Sequence, residues 1–161
     1  MTQRLGQRQQ HSGAAMLDEV YNAKILDLAA RTPTANRLEN PDATATRHSK
    51  LCGSKLTADI NVVDGVIDDI AMEVKACALG QAAAAVVFDN AVGATYDEVA
   101  DAKRAMHAML KGEGIVPEGR FGELRFLEPV RDYRARHAST LLAIDAVAEA
   151  FSNVRDPAVA A

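Results

Sequence analysis

Residues 56–76 read Leu-Thr-Ala-Asp-Ile-Asn-Val-Val-Asp-Gly-Val-Ile-Asp-Asp-Ile-Ala-Met-Glu-Val-Lys-Ala, and their alternation decides the fold class. Leu56, Ala58, Ile60 and Val62 alternate with Thr57, Asp59 and Asn61, the pattern of a strand with one buried and one wet face. After Asp64-Gly65, the residues Val66, Ile70, Met72, Val74 and Ala76 repeat it, with Asp68 as the polar exception. The stretch is therefore an antiparallel hairpin. A two-residue Asp64-Gly65 turn would pair Val63 with Val66 and set Leu56 opposite Glu73, apolar against polar along the ladder, so that register is rejected. A three-residue loop, Val63-Asp64-Gly65, with Gly65 in the left-handed position, pairs Val62 with Val66, Ala58 with Ile70 and Leu56 with Met72. That is the expected register. Carried outward it brings Cys52 opposite Ala76, one residue from Cys77, so the two cysteines of the chain are expected to meet at the open end of the hairpin.

Helices flank this hairpin. Leu17, Val20, Tyr21, Ile25 and Leu28 recur at helical spacing and predict an amphipathic helix from about Met16 to Ala30, ended by Thr32-Pro33. Pro41 keeps the following stretch out of helix. Cys77-Ala78-Leu79-Gly80-Gln81 leads into residues 82–88, apolar on nearly every side, which predicts a helix buried all round. Thr95 and Glu98 form a capping box before a helix with Val99, Ala102, Met106 and Met109 as its buried stripe. Lys111 to Gly114 ends it, and Ile115 to Pro129 reads as a Gly- and Pro-spaced loop. Leu141, Ile144, Ala148 and Phe151 mark a last helix. The expected class is α+β: an N-terminal helix, a small antiparallel sheet of about three strands, then a layer of C-terminal helices. One domain over residues 16–152 is expected, between a disordered Gln-rich tail at 1–15 and a frayed tail at 153–161.

Composition narrows the function classes. The 161 residues include 31 alanines, no Trp and only 7 Phe and Tyr, so the core is small-grained and mostly helical. A net charge of −4 argues against a nucleic-acid binder driven by bulk charge. No segment approaches the roughly 20 apolar residues that span a bilayer, and residues 1–15 lack the apolar run of a secretory signal, so a cytoplasmic protein without a membrane partner is expected. In that compartment two cysteines are free thiols, metal ligands or redox groups before they are a structural bridge.

Cys77 sits where a strand becomes a helix, where unpaired amides favour a thiolate, and Lys75 adds to the bias. A thiolate facing a second cysteine is a candidate metal, sulfur or redox site, with His137 and Ser54 as candidates to extend it. The plainer reading is a pair of small buried hydrophobes. His107 is expected at the surface or boundary, His48 on an exposed strand and His11 in the tail. Arg120, Arg125, Arg131, Arg134 and Arg136 read first as a solvated face and second as a docking surface for an acidic partner.

Several segments, in order along the chain, resemble the NifU amino-terminal, IscU and SufU family of iron–sulfur cluster scaffolds. They are Leu17-Asp18-Glu19-Val20-Tyr21-Asn22, Leu51-Cys52-Gly53-Ser54, Lys75-Ala76-Cys77-Ala78-Leu79-Gly80-Gln81-Ala82-Ala83-Ala84, and Pro129-Val130-Arg131 leading to His137-Ala138-Ser139-Thr140-Leu141-Leu142-Ala143. The resemblance implies a non-enzymatic scaffold or carrier that takes sulfur from a cysteine desulfurase as a persulfide. It would hold a [2Fe–2S] cluster, iron or zinc and serve recipient apoproteins, as a monomer or homodimer. It places Cys52 and Cys77 at the family's first and second cysteines, Ser54 at its aspartate and Ser139 at its third cysteine. Ala138 takes the last position if the alignment slips by one. His137 then stands as the replacement ligand, giving a Cys52, Cys77 and His137 set. Leu127-Glu128-Pro129-Val130-Arg131 resembles the chaperone-docking motif with Glu128 and Arg131 in place of Pro and Lys, which weakens the case for a chaperone partner. A non-assembling regulatory or interaction module of the desulfurase system, and a thiol redox or sulfur-transfer protein, are the alternatives.

Overall fold

The computed structural model describes residues 21–156. The tail at 1–15 with His11, the stretch Met16 to Val20 of the expected first helix, and residues 157–161 lie outside the described residues. Helix α1 is Ala23–Ala30, capped by the Asn22 carboxamide, which accepts from the Ile25 amide at 2.9 Å. Three antiparallel strands follow, β1 Ala43–Ser49, β2 Ser54–Val63 and β3 Val66–Lys75, in the order β1-β2-β3. Helices α2 Ala78–Ala91, α3 Tyr96–Leu110 and α4 His137–Arg155 complete the expected α+β architecture. Helix α4 packs across β1 and β2, and α2 is wedged between α1, β3 and α4. Leu56, Ala58 and Ile60 of β2 are fully buried in this layer, as their alternation predicts.

The hairpin register differs from the sequence expectation. Val63 pairs with Val66 across a two-residue turn in which Asp64 and Gly65 both have positive φ, 53° and 80°. That turn matches the right-handed twist of the strands, and Asp and Gly are the residues that reach it at low cost. The ladder is then broken by a bulge next to Val62, so that Asn61 pairs with Asp69, Ala58 with Met72 and Leu56 with Val74. The extra residue lets Ile67 and Ile70 both face the core while Asp68 and Asp69 stay exposed, which accounts for the polar exception at Asp68.

The second face of β2 is not wet. Asp59 is fully buried under the segment between α1 and β1. Arg37 donates to its carboxylate from Nε at 2.7 Å and from a terminal nitrogen at 3.1 Å, Thr44 Oγ1 donates at 2.5 Å, and the Leu38 amide donates at 3.0 Å. Burial alone would raise the Asp59 pKa, but these donors outweigh it and hold the carboxyl below its ordinary value.

Two other elements depart from expectation. Residues 119–132 form successive 3-10 turns instead of a loop. Phe121, Leu124, Leu127 and Val130 recur at intervals of three and are all buried, the period of a 3-10 helix. Helix α4 continues to Arg155, past the expected fraying point at Asn153, because Val154 packs on the core and the Arg155 guanidinium lies 4.1 Å over the Tyr96 ring. The Thr95 and Glu98 capping box is present.

Candidate functional site

Both thiols lie at the end of the sheet away from the Asp64-Gly65 turn. Cys52 is not in a strand. It sits in the connection 50–53 between β1 and β2, where Gly53 takes a positive φ of 68° to close the turn. Ser49 and Ser54, the last residue of β1 and the first of β2, are paired across that turn, and both are buried. Their hydroxyls flank the sulfur. Cys52 Sγ donates to Ser49 Oγ at 3.2 Å and lies 3.1 Å from Ser54 Oγ. Cys77 is the N-cap residue of α2, as the sequence predicts, and its side chain makes no capping bond. Its sulfur turns instead to Ser139 Oγ at 3.3 Å, on the first turn of α4.

Ser54 Oγ and Ser139 Oγ are 3.4 Å apart, so an unbroken run of polar contacts joins Ser49, Cys52, Ser54, Ser139 and Cys77. The thiols thus converge, but through two serines and not as opposed strand residues. Ser139 is fully buried. What lets it reach the thiols is Gly80 of α2: a Cβ there would lie 2.7 Å from Ala76 Cβ, 2.9 Å from Ser139 Oγ and 3.0 Å from the Ser139 carbonyl oxygen. A glycine at this point allows α4 to close on α2 and deliver the hydroxyl.

The Cys52 thiol is acidified to about 7 from 9.0. Ser49 contributes most and Ser54 next, and burial opposes them. A serine hydroxyl that accepts from the thiol can rotate about its C–O bond and donate to the thiolate, so both serines stabilise the ionised form. At neutral pH a substantial fraction of Cys52 is therefore thiolate, the nucleophilic form. Both cysteines are free, Cys52 exposed and Cys77 half-buried.

His137, expected to complete the ligand set, is placed differently. Its Nε2 lies 3.0 Å from the Val130 carbonyl oxygen and 2.9 Å from that of Arg131, so Nε2 carries the hydrogen and donates to both. His137 is the first residue of α4, and its ring folds back on the chain that leads into the helix. Among the described residues no three His, Cys, Asp or Glu side chains gather into a group that could hold a metal ion. Cys52, Cys77 and His137 are accordingly not assembled as a ligand set, and only Nδ1 of His137 keeps a lone pair for coordination. His48 is exposed on β1 and His107 half-buried at the boundary of α3, both as expected, with His107 Nε2 at 2.8 Å from Asp145 of α4. Sequence reasoning missed Ser49. Its signal was a serine three residues before Cys52 at a strand end, close enough to fold back on the sulfur of its own turn.

No family model matches the chain. Comparison with solved structures is more informative. The amino-terminal part of a nitrogen-fixing NifU-like protein from Brucella abortus superposes with a TM-score of 0.85 at 52% identity, covering 88% of this chain and 98% of that one. The chain belongs to the NifU/IscU scaffold family. Within that family, the IscU iron–sulfur cluster assembly scaffold protein of Thermotoga maritima is 27% identical over 140 residues, which cover 86% of this chain and 96% of that one. A SUF-system scaffold from Fervidobacterium islandicum shares the fold, with a TM-score of 0.75 at 22% identity over 83% of this chain and 98% of that one. Among the described residues no helix is long and apolar enough to cross a membrane.

Proposed function

We propose that the chain is an iron–sulfur cluster assembly scaffold or carrier that takes its cargo at Cys52 and Cys77. The observation that carries this reading is the convergence of the only two thiols of the sequence on one hydroxyl-lined end of the fold, with Cys52 acidified. A cysteine desulfurase is the sulfur donor. The Cys52 thiolate attacks the outer sulfur of the donor's persulfide, giving a Cys52 persulfide and releasing the donor cysteine as its thiolate. Iron then binds the sulfur held at the pair.

The donor set fits half of what a cluster takes. A [2Fe–2S] cluster is held by four thiolates, and this chain offers two beside neutral serine hydroxyls, which bind iron and zinc weakly. The remaining coordination comes from outside this set: the Nδ1 of His137, a second copy of the chain, a small thiol or the recipient apoprotein. Zinc would be held by the same two sulfurs. Protein of this kind works in a reducing cytoplasm, where both thiols stay available.

Anaerobic reconstitution with ferrous iron and sulfide tests the reading. Bound iron and sulfide in the wild type, lost in Cys52→Ser, is expected, and absence of both from the wild type would overturn it. Serine at the position of the third cysteine favours one second reading, a non-assembling module that keeps the fold and the desulfurase-facing surface. Desulfurase binding that persists when both thiols are mutated, together with failed reconstitution of the wild type, is its signature.

A further inference from the structure

A sulfur carried on Cys52 as a persulfide and the sulfur held in a cluster differ in oxidation level. The persulfide sulfur has to gain electrons before it is sulfide, so something at this end of the fold must supply them. In the run Ser49, Cys52, Ser54, Ser139 and Cys77, the two sulfurs are the oxidisable groups and the rest are hydroxyls. Cys77 stands in the position of the donor. It is half-buried behind the run, whereas Cys52 is exposed in front of it. One hydroxyl borders both: Ser139 Oγ lies 3.3 Å from Cys77 Sγ and 3.4 Å from Ser54 Oγ, itself 3.1 Å from Cys52 Sγ, and Ser139 is also among the groups that acidify Cys52. The serines take up the inner side of Cys52 Sγ, so a second sulfur bonded to it has room only toward solvent. Cys77 then faces the inner sulfur from behind. Two further features make the approach cheap. Cys77 makes no capping bond, so its attack breaks nothing that holds α2. Residues 50–53 are all exposed, so the turn that carries Cys52 shifts inward without emptying a core site.

Resting on the scaffold reading, we propose that Cys77 is a resolving nucleophile that frees the sulfur carried on Cys52 as sulfide. The Cys77 thiolate attacks Cys52 Sγ, the inner sulfur of the persulfide. The Sγ–Sγ bond forms, the bond from Cys52 Sγ to the outer sulfur breaks, and the outer sulfur leaves with that electron pair and its proton as hydrosulfide. Cys77 is oxidised, and the carried sulfur is reduced to the level it has in a cluster. The pair ends as a Cys52–Cys77 disulfide. An external dithiol reopens it by exchange, becoming a disulfide itself and returning both thiols to the chain. The step belongs to the metal-free chain, because iron bound at Cys77 occupies the attacking sulfur.

Anaerobic loading of the full, metal-free chain with inorganic polysulfide, followed by gel filtration, tests the proposal. Free sulfide is then measured against time, and thiols are blocked for intact mass and peptide mapping without reductant. The wild type is expected to release sulfide and to form the Cys52–Cys77 disulfide in equal amounts, at a rate independent of protein concentration. Cys77→Ser is expected to keep the extra sulfur on Cys52 and to release sulfide at least about tenfold more slowly until a small dithiol is added. Cys77→Ala repeats the measurement with no hydroxyl at the position, and thermal unfolding of both variants checks that each is folded. A wild-type persulfide that lasts as long as that of the Cys77 variants overturns the proposal. So does transfer of the extra sulfur to Cys77 without sulfide release, or a disulfide that joins two chains at a rate rising with concentration. In those cases the scaffold reading stands, because Cys52 has taken up the sulfur. A chain that takes no sulfur at Cys52 and binds no iron on reconstitution with inorganic sulfide overturns the scaffold reading, and the proposal with it.

Discussion

Two buried polar runs cross this fold, and they are built to opposite specifications. Around Asp59, on the outer face of the sheet, every donor is close, at 2.5 to 3.1 Å, and the carboxylate is fully saturated by Arg37, Thr44 and the Leu38 amide. Around the thiols the contacts run from 3.1 to 3.4 Å and all but one involve the larger sulfur atom, for which these lengths are close, and the run ends on an exposed cysteine. The first arrangement pins the segment before β1 onto the sheet and leaves nothing over for a ligand. The second holds each thiol only through hydroxyls that can turn from acceptor to donor, and it leaves Cys52 open to solvent. The contrast lies in access: the Asp59 carboxylate is enclosed by its donors, and the Cys52 thiol is not.

The sharpest break in this contrast is at Arg37. Arg37→Met leaves a buried carboxylate without its cation, and the urea midpoint should fall further than in any other variant named below, while thiol alkylation rates in the folded state stay at wild-type values. The pH dependence follows from the same group. Because the folded pKa of Asp59 lies below its unfolded value, its stabilisation is complete above the ordinary carboxylate range and is lost as pH falls through the folded pKa, so acid unfolding should be less steep in Asp59→Ala than in the wild type.

Gly80 comes next in size. Gly80→Ala gains about 1 kcal/mol of helix propensity but forces contacts at 2.7 to 3.0 Å against Ala76 and Ser139, overpacking worth about 1–3 kcal/mol. A net loss of about 1 kcal/mol by thermal unfolding is expected. The displaced Ser139 should also alter Cys77 alkylation, which a purely structural glycine would leave alone.

The smallest effect is the most specific. In a Cys77→Ser background the alkylation of Cys52 should titrate near pH 7, and Ser49→Ala should move the midpoint up by about half a unit to one unit, toward the ordinary thiol value. The stability linked to this thiol has the same sign as that of Asp59: it is present above the unfolded pKa and lost as pH falls through about 7.

Much of this was legible in the residues. Alternation in Leu56 to Val62, the Thr95 and Glu98 box, and the helical stripes gave the elements and their order. The hairpin register was not, because a ladder argument assumes equal strands and a bulge adds a residue to one of them. Its consequence was local: Cys52 and Cys77 still meet, through Ser54 and Ser139, since β2 and β3 end together whichever register holds. The 3-10 segment was hidden by its glycines and Pro129, although Phe121, Leu124, Leu127 and Val130 spell its period. His137 sits where its sequence neighbourhood suggested, but its ring is turned by two carbonyl groups whose positions depend on that 3-10 segment. Side-chain direction was the part no spacing could supply.

Native mass spectrometry of the anaerobically reconstituted protein, with iron and sulfide counted per chain, tests the central claim most directly. The account predicts bound iron and sulfide in the wild type, their loss in Cys52→Ser and in Cys77→Ser, and their retention in Ser49→Ala. Wild-type protein without iron or sulfide, or a Cys52→Ser variant that holds as much as the wild type, would contradict it.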